Sequence, residues 1–368
     1  MKRIIAFIVA FALLLSTGAF VACAGDSASS DASSNAAASL SSAEASADSK
    51  EATTEAVKDA TTEATTELVT TEEPTTEKPA VTLKWKKSTK TIKAGKKFTF
   101  KAVATGTTKT VKYSVNKTNI AKIGAKSGVL KAKKVGKVKV KATVENKTIS
   151  IKVKVNPKKI VCIDPGHSGV VPSGSEPIGP GSTTMKMKMS SGTCGNYTHV
   201  PEYKLTMVMA NKLKKLLVDR GYKVVMTRSN NSTMISNVER AKVANKAKAD
   251  AYIRIHADSF TSPSVKGMSM QYAPTSNPYV GKKYGAKNYK LSKCVKDEFV
   301  KATGASVRGT GLFGRNDLSG SNWANVPTTL IELGFMSNPT EDRLMQTSDY
   351  QNKMAKGMAN GIDAYFGY

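Results

Sequence analysis

Two periods of hydrophobic spacing divide the chain. Residues 81–156 alternate apolar and polar side chains with period two, as in Phe98-Thr99-Phe100, Val111-Lys112-Tyr113, Val138-Lys139-Val140 and the run 149–155. Successive side chains of a strand point to opposite faces, so this alternation predicts strands with one buried face. Gly95, Gly106, Gly128 and Gly136 punctuate them, and short strands with regular turn signals predict a small β-sandwich. Beyond residue 158 the spacing changes. Short apolar runs at 160–163, 222–226, 251–255, 267–272 and 328–331 predict strands. A helix is predicted over 203–219, with Leu205, Val208, Met209, Leu213, Leu216 and Leu217 on one face and Gly221 just past its end. Further helices are predicted over 238–248, around Leu291, Cys294, Val295 and Phe299 as far as Gly304, and over 350–366. Strands alternating with helices predict an α/β domain over 158–368, with a mostly parallel central sheet flanked by helices.

The first 80 residues follow neither period. Lys2 and Arg3 precede an apolar run from Ile4 to Leu15, then small residues lead to Ala22-Cys23-Ala24. That order predicts a secretory signal over 1–23. The run is too short to span a bilayer as a helix. The expected location is therefore extracellular, at the surface or wall of a bacterium. Phe20-Val21-Ala22-Cys23 resembles a bacterial lipobox, which would make Cys23 the site of a lipid anchor and the only membrane contact. Plain cleavage, for instance after Ala24, is the other reading. Residues 24–80 are mostly Ser, Ala, Thr and Glu, cannot bury enough surface to offset their ordering entropy, and are predicted to be a disordered linker. Three cysteines remain, Cys162, Cys194 and Cys294, and an odd count argues against a disulfide framework.

Charge sharpens the division. The net charge is +28, but residues 24–80 carry 12 acids against 3 lysines, a net of −9. Residues 81–156 carry 22 lysines and one acid, Glu145, a net of +21. A block that basic fits a polyanionic partner. Outside a bacterial cell the candidates are anionic wall polymers. The bland alternative is a merely solubilising surface. Nucleic acid is not expected, given the export signal and the lack of aromatic-basic interleaving.

Candidate chemistry collects at strand ends. His167 follows the first α/β strand, His256 ends another and Glu332 a third; Glu202 lies at the start of the long helix. Sites in open parallel sheets form at the carboxyl ends of strands, so these residues point to one crevice. Two imidazoles and a carboxylate suit one catalytic Zn2+, which leaves a position for water and yields a nucleophile at neutral pH. A second carboxylate is then needed as general base. Each residue alone has a structural reading: a hydrogen-bonded His, a helix-dipole Glu, a buried paired acid. Glu176 is a rival to Glu202, and His199 is near enough in sequence to line the site.

The ordered motifs carry a family resemblance. The segment 161–169 with Asp164, Gly166 and His167, the segment 201–205 with Glu202, Thr227-Arg228, Glu239-Arg240 through Asn245, the segment 255–258 with His256, and the segment 332–338 with Glu332 resemble, in order, the zinc N-acetylmuramoyl-L-alanine amidases of the amidase type 3 group. The resemblance implies His167, Glu202 and His256 as zinc ligands and Glu332 as catalytic base. It implies peptidoglycan as substrate, cut between N-acetylmuramic acid and L-alanine. Arg254 and Asp258 depart from the family pattern on either side of His256, and 168–200 is longer than in short members and is expected to form a surface loop over the cleft. Residues 81–156 resemble the bacterial immunoglobulin-like group 2 domain. Two other functions remain open at this point: a zinc peptidase acting within the stem peptide, and an inactive or autoinhibited wall-binding surface protein.

Overall fold

The computed structural model describes residues 78–368. The signal segment, Cys23 and nearly all of the predicted linker lie outside the described residues. No helix among the described residues is long and apolar enough to cross a membrane.

Residues 82–156 form nine strands: β1 (Thr82–Lys87), β2 (Thr91–Lys93), β3 (Lys97–Thr99), β4 (Lys101–Thr105), β5 (Lys112–Val115), β6 (Ala121–Ile123), β7 (Val129–Ala132), β8 (Gly136–Val144) and β9 (Lys147–Asn156). They make a four-stranded sheet in the order β2-β9-β8-β5, a three-stranded sheet β3-β7-β6 and a pair β1-β4. The period-two pattern explains the packing. Val138, Val140, Ala142, Val153 and Val155 face a shared core with Phe100 and Leu130. The intervening lysines face out, and several meet head-on. Lys137 lies opposite Lys154 and Lys139 opposite Lys152. On the three-stranded sheet Lys97, Lys131 and Lys122 stand in one row. Like charges directly opposite across strands cost stability, and Glu145 is the module's one acid.

The α/β part adds β10 (Ile160–Pro165), β11 (Ser175–Pro177), β12 (Met185–Met187), α1 (Glu202–Asp219), β13 (Lys223–Met226), α2 (Asn237–Lys246), β14 (Ala251–Asp258), β15 (Met268–Tyr272), α3 (Gly281–Thr303), β16 (Val307–Gly314), α4 (Ser319–Asn322), β17 (Thr328–Phe335), α5 (Pro339–Gln346) and α6 (Ser348–Phe366). Its six-stranded sheet runs β13-β10-β14-β17-β15-β16. All neighbours are parallel except β15 and β17, so the sheet is mixed. On one face Val161, Ile163, Ile253, Ile255 and Ile331 pack against α1, α3 and α6 through Leu205, Leu213, Val295, Phe299 and Met358. On the other, Cys162 and Tyr252 meet Ala241 and Ala244 of α2. Nearly continuous burial of β10, β14 and β17 is what helices on both faces require.

The sequence pattern departs from the structure in places. On α1, Val208 is exposed and Ala210 is buried in its stead. Helix α3 begins some ten residues earlier than the apolar spacing marks. Its first half is polar, but Gly281 and Gly285 let its backbone close onto Pro274 and Thr275, where a Cβ would lie 2.4 Å from backbone atoms. Strand β16, rich in glycine and exposed at the sheet edge, has no apolar signature. The expected surface loop 168–200 contains the hairpin β11-β12.

Only residues 157–159 separate β9 from β10. The Lys158 N–H donates to Gly221 O at 2.9 Å, and Lys134 bonds Asp219 at 2.5 Å. Gly221 lies against Ala94, where a side chain would have no room. The β-module is thus fastened at the amino end of the α/β sheet.

Helices α3 and α6 approach most closely at Gly357 and Gly361, and a Cβ on Gly361 would lie 2.4 Å from Val295 Cα. Backbone cannot move aside as a flexible side chain can. Gly361→Ala is therefore expected to lower unfolding free energy by about 1–3 kcal/mol despite its better helix propensity. Urea denaturation at neutral pH checks this, and a gain in stability would contradict the close packing.

Candidate metal centre

The site starts from one buried acid. Asp164 ends β10 and is fully buried. It lies directly opposite Arg254 on β14, whose Nε donates to Asp164 Oδ2 at 3.0 Å. Arg240 Nη1 donates to Oδ1 at 2.7 Å, Thr227 Oγ1 to Oδ1 at 2.5 Å and Tyr252 Oη to Oδ2 at 3.1 Å. Burial alone would raise the Asp164 pKa, but Arg240, Arg254 and Thr227 override it and hold the carboxyl well below the usual range.

The same arginines set the turn that follows. Arg240 donates to Pro165 O and His167 O, and Arg228 donates to Pro165 O and Gly166 O. Every carbonyl of the turn is thereby satisfied. This supports a positive φ of 57° at His167, a left-handed conformation that a side chain adopts at a cost. Gly166 has no alternative: a Cβ there would lie 2.5 Å from the His256 ring.

The turn aims His167 at two other predicted residues. His167 Nε2 and His256 Nδ1 lie 3.0 Å apart. Glu202 Oε2 is 3.2 Å from His167 Nε2, and Glu202 Oε1 is 3.2 Å from His256 Nδ1. These three donors could hold one metal ion. Tetrahedral bonds of about 2.0–2.1 Å put ligand atoms about 3.3 Å apart, which these spacings match. Two of the three donors, His167 and Glu202, are oriented from behind, whereas the buried Nε2 of His256 has no hydrogen-bond partner among the described residues. His167 Nδ1 faces Ser190 O at 2.8 Å, which presents Nε2 to the centre. The backbone N–H groups of Thr193 and Ala257 donate to the two Glu202 oxygens, each at 3.0 Å. Burial pushes the His256 pKa down to about 4, so its ring is neutral and fit to ligate at neutral pH. Burial also raises the cost of charge on Glu202, but His167 outweighs it and keeps the carboxyl ionised.

Glu332 completes the cluster. It lies opposite His256 in the β14-β17 ladder, just before a register shift in β14. It lines a cavity of about 250 Å³ with His167, Glu202, His256 and Asp258. Burial, then the charges of Asp258 and Glu202, raise its pKa well above the ordinary Glu value. Gln271 Nε2 donates to Glu332 Oε1 at 3.2 Å.

All four residues singled out from the sequence are thus brought together. Two others are not. Glu176 is buried elsewhere, accepting from Val238 N at the start of α2. His199 is exposed and does not line the cavity. Cys194 is buried and forms an isolated β-bridge with Pro201, next to Glu202. The sequence also gave no role to Asp342. Fully buried on α5, it accepts from Tyr197 N, Thr198 N and Thr198 Oγ1, and so fixes the loop that carries Gly192 and Thr193 over the ligands.

Residues 161–364 match the model of a family described as N-acetylmuramoyl-L-alanine amidase. An N-acetylmuramoyl-L-alanine amidase of Mycobacterium tuberculosis is 30% identical over 214 residues, covering 56% of this chain and 86% of that protein. One from Escherichia coli is 25% identical over 242 residues, covering 57% and 76%. Among solved structures, the apo form of an N-acetylmuramyl-L-alanine amidase from Mycobacterium abscessus superposes with a TM-score of 0.52 at 31% identity, covering 57% of this chain and 99% of that one.

A depressed folded-state pKa means that Asp164 stabilises the fold above the ordinary carboxylate pKa and loses that contribution as pH falls towards its folded value. Asp164→Asn leaves two buried arginines without their counter-charge. It is expected to cost about 3–5 kcal/mol at pH 7 and progressively less as pH falls below the ordinary carboxylate pKa. Unfolding free energies from pH 3 to 7 report the difference, and an equal cost at both ends would contradict the ion-pair account.

Proposed function

Since this chain belongs to the N-acetylmuramoyl-L-alanine amidase family and is a peptidoglycan hydrolase, we propose that His167, Glu202 and His256 hold one Zn2+ and that Glu332 is its catalytic base. The observation that carries this reading is the convergence of three donors at 3.0–3.2 Å beside a fourth, protonatable carboxyl. When bound, zinc would supply Lewis-acid polarisation and a water acidic enough to react at neutral pH. The chain's own residues do the rest. Glu332 takes the proton of the attacking water and passes it to the leaving nitrogen of L-alanine. Its raised affinity for protons suits the second half of that transfer, and Gln271 keeps one carboxyl oxygen oriented. Glu202, held by two backbone donors, stays ionised and out of the proton traffic.

The β-module is read as an immunoglobulin-like domain over 81–156, with 1–23 as export signal and 24–80 as linker. Its opposed lysines support a role in holding anionic wall polymer, because a polyanion relieves repulsion that the module cannot neutralise itself. An extracellular or wall location follows from the substrate, and a lipid anchor at Cys23 is part of the same proposal.

Two measurements test these roles. Glu332→Gln is expected to retain one zinc per chain and to lose activity on purified peptidoglycan about 10²–10⁴-fold. Gly166→Ala, which crowds His256, is expected to lose the zinc itself. Metal analysis beside mass spectrometry of released stem peptides separates the two, and an active Glu332→Gln chain would sink the assignment. For the module, retention on purified walls should fall steeply as the Debye length shrinks from about 30 Å at 0.01 M to about 3 Å at 1 M salt. Salt-insensitive retention would reject the polyanion role.

A further inference from the structure

A second cavity, of about 450 Å³, lies beside the catalytic one. Pro172, Pro177, Met234, Val238 and Trp323 give it apolar walls. Lys188 and Lys242 face it, as do Glu176 and Glu239, so the lining carries no net charge. The two acids are engaged by backbone: Glu176 accepts from Val238 N and Glu239 from Ser236 N. The two ammonium groups make no hydrogen bond or ion pair among the described residues. The indole of Trp323 is fixed, because its Nε1 donates to Pro177 O at 2.9 Å and its carbonyl accepts from Asn245 Nδ2 at 2.9 Å. The two cavities are adjacent along the segment 188–190. Lys188 lines this one and Ser190, two residues on, lines the catalytic one. Two residues span at most about 7 Å.

We propose that this cavity is a glycan subsite, which holds a sugar ring next to the muramoyl residue whose amide is cut. The inference rests on the amidase reading of the neighbouring cavity. A substrate cut there carries a glycan strand and a stem peptide away from the scissile bond. The peptide brings carboxylates, and a lining without net charge gives them no electrostatic preference. An N-acetylated sugar is neutral, with apolar C–H faces and hydroxyl and carbonyl acceptors. A fixed indole suits the faces, and lysine donors suit the acceptors. A cation next to an acidic residue of the catalytic wall lies elsewhere: Arg308 reaches Asp258 at 3.3 Å.

The test compares two substrates with the full chain. One is a muramoyl peptide with a single sugar ring, the other the same peptide on a tetrasaccharide. The subsite predicts a higher kcat/KM for the longer glycan. Lys188→Ala with Lys242→Ala, and separately Trp323→Leu, should remove about tenfold of that preference, mainly in KM, and leave the single-ring substrate unchanged. Equal losses on both substrates, or losses that follow the number of stem residues, overturn it. A binding measurement is independent of activity. The chain has two tryptophans, Trp85 and Trp323. In Trp85→Phe, a tetramer of N-acetylglucosamine should change the fluorescence of Trp323. No change in a chain that still cleaves peptidoglycan rejects the subsite, whereas a fluorescence change without any cleavage counts against the amidase reading and leaves the subsite standing.

Discussion

The buried charge of Asp164 is the constraint on which the site depends. A lone carboxylate under the sheet's carboxyl edge would be prohibitively costly, so the chain surrounds it with two arginines, a threonine and a tyrosine. Those arginines come from different elements, α2 and β14. Holding one acid therefore fixes a helix and two strands against one another. The guanidinium of Arg240 that neutralises Asp164 also supports the turn at His167. The position of His167 beside Glu202 and His256 is thus a by-product of an ion pair one layer below it.

Much of this was legible in the sequence, and the reasons differ by element. The strands β10, β14 and β17 announce themselves because burial on both faces demands continuous apolar runs. His167, Glu202, His256 and Glu332 could be grouped because each stands at a strand end or helix start, where chain direction alone brings them to one edge. Glu176 could not be dismissed in this way. Its burial at the α2 amino end depends on a hairpin of two three-residue strands, too short for their spacing to tell which face they bury. The role of Asp342 was equally hidden, since it acts on a loop some 145 positions away in sequence.

Arg254 shows how a departure from a family pattern can be read physically. Beside His256 it suggests an altered site. In the structure its guanidinium lies along Gly320, where a Cβ would lie 2.6 Å from it, and it bonds Asp164 and Asn237. It is absorbed into the scaffold, and the glycine in α4 is the accommodation. The lysines of the β-module are the opposite case. Their outward positions follow from period-two spacing, but their head-on pairing depends on strand register, which no single strand reveals.

The three-residue junction between β9 and β10, fastened through Gly221 and Asp219, has a consequence for how far the enzyme reaches. The module sits at the sheet's amino end and His167, Glu202 and His256 at its carboxyl end, a six-residue strand length of about 20 Å away. On the proposal that the module holds anionic wall polymer, that offset would separate the polymer that is gripped from the bond that is cut. Cleavage would then fall within a shell around each point of attachment, and the gripped strand itself would be spared. Advance along a wall would require release and rebinding, so tighter attachment would slow the spread of cutting even as it lengthened each visit.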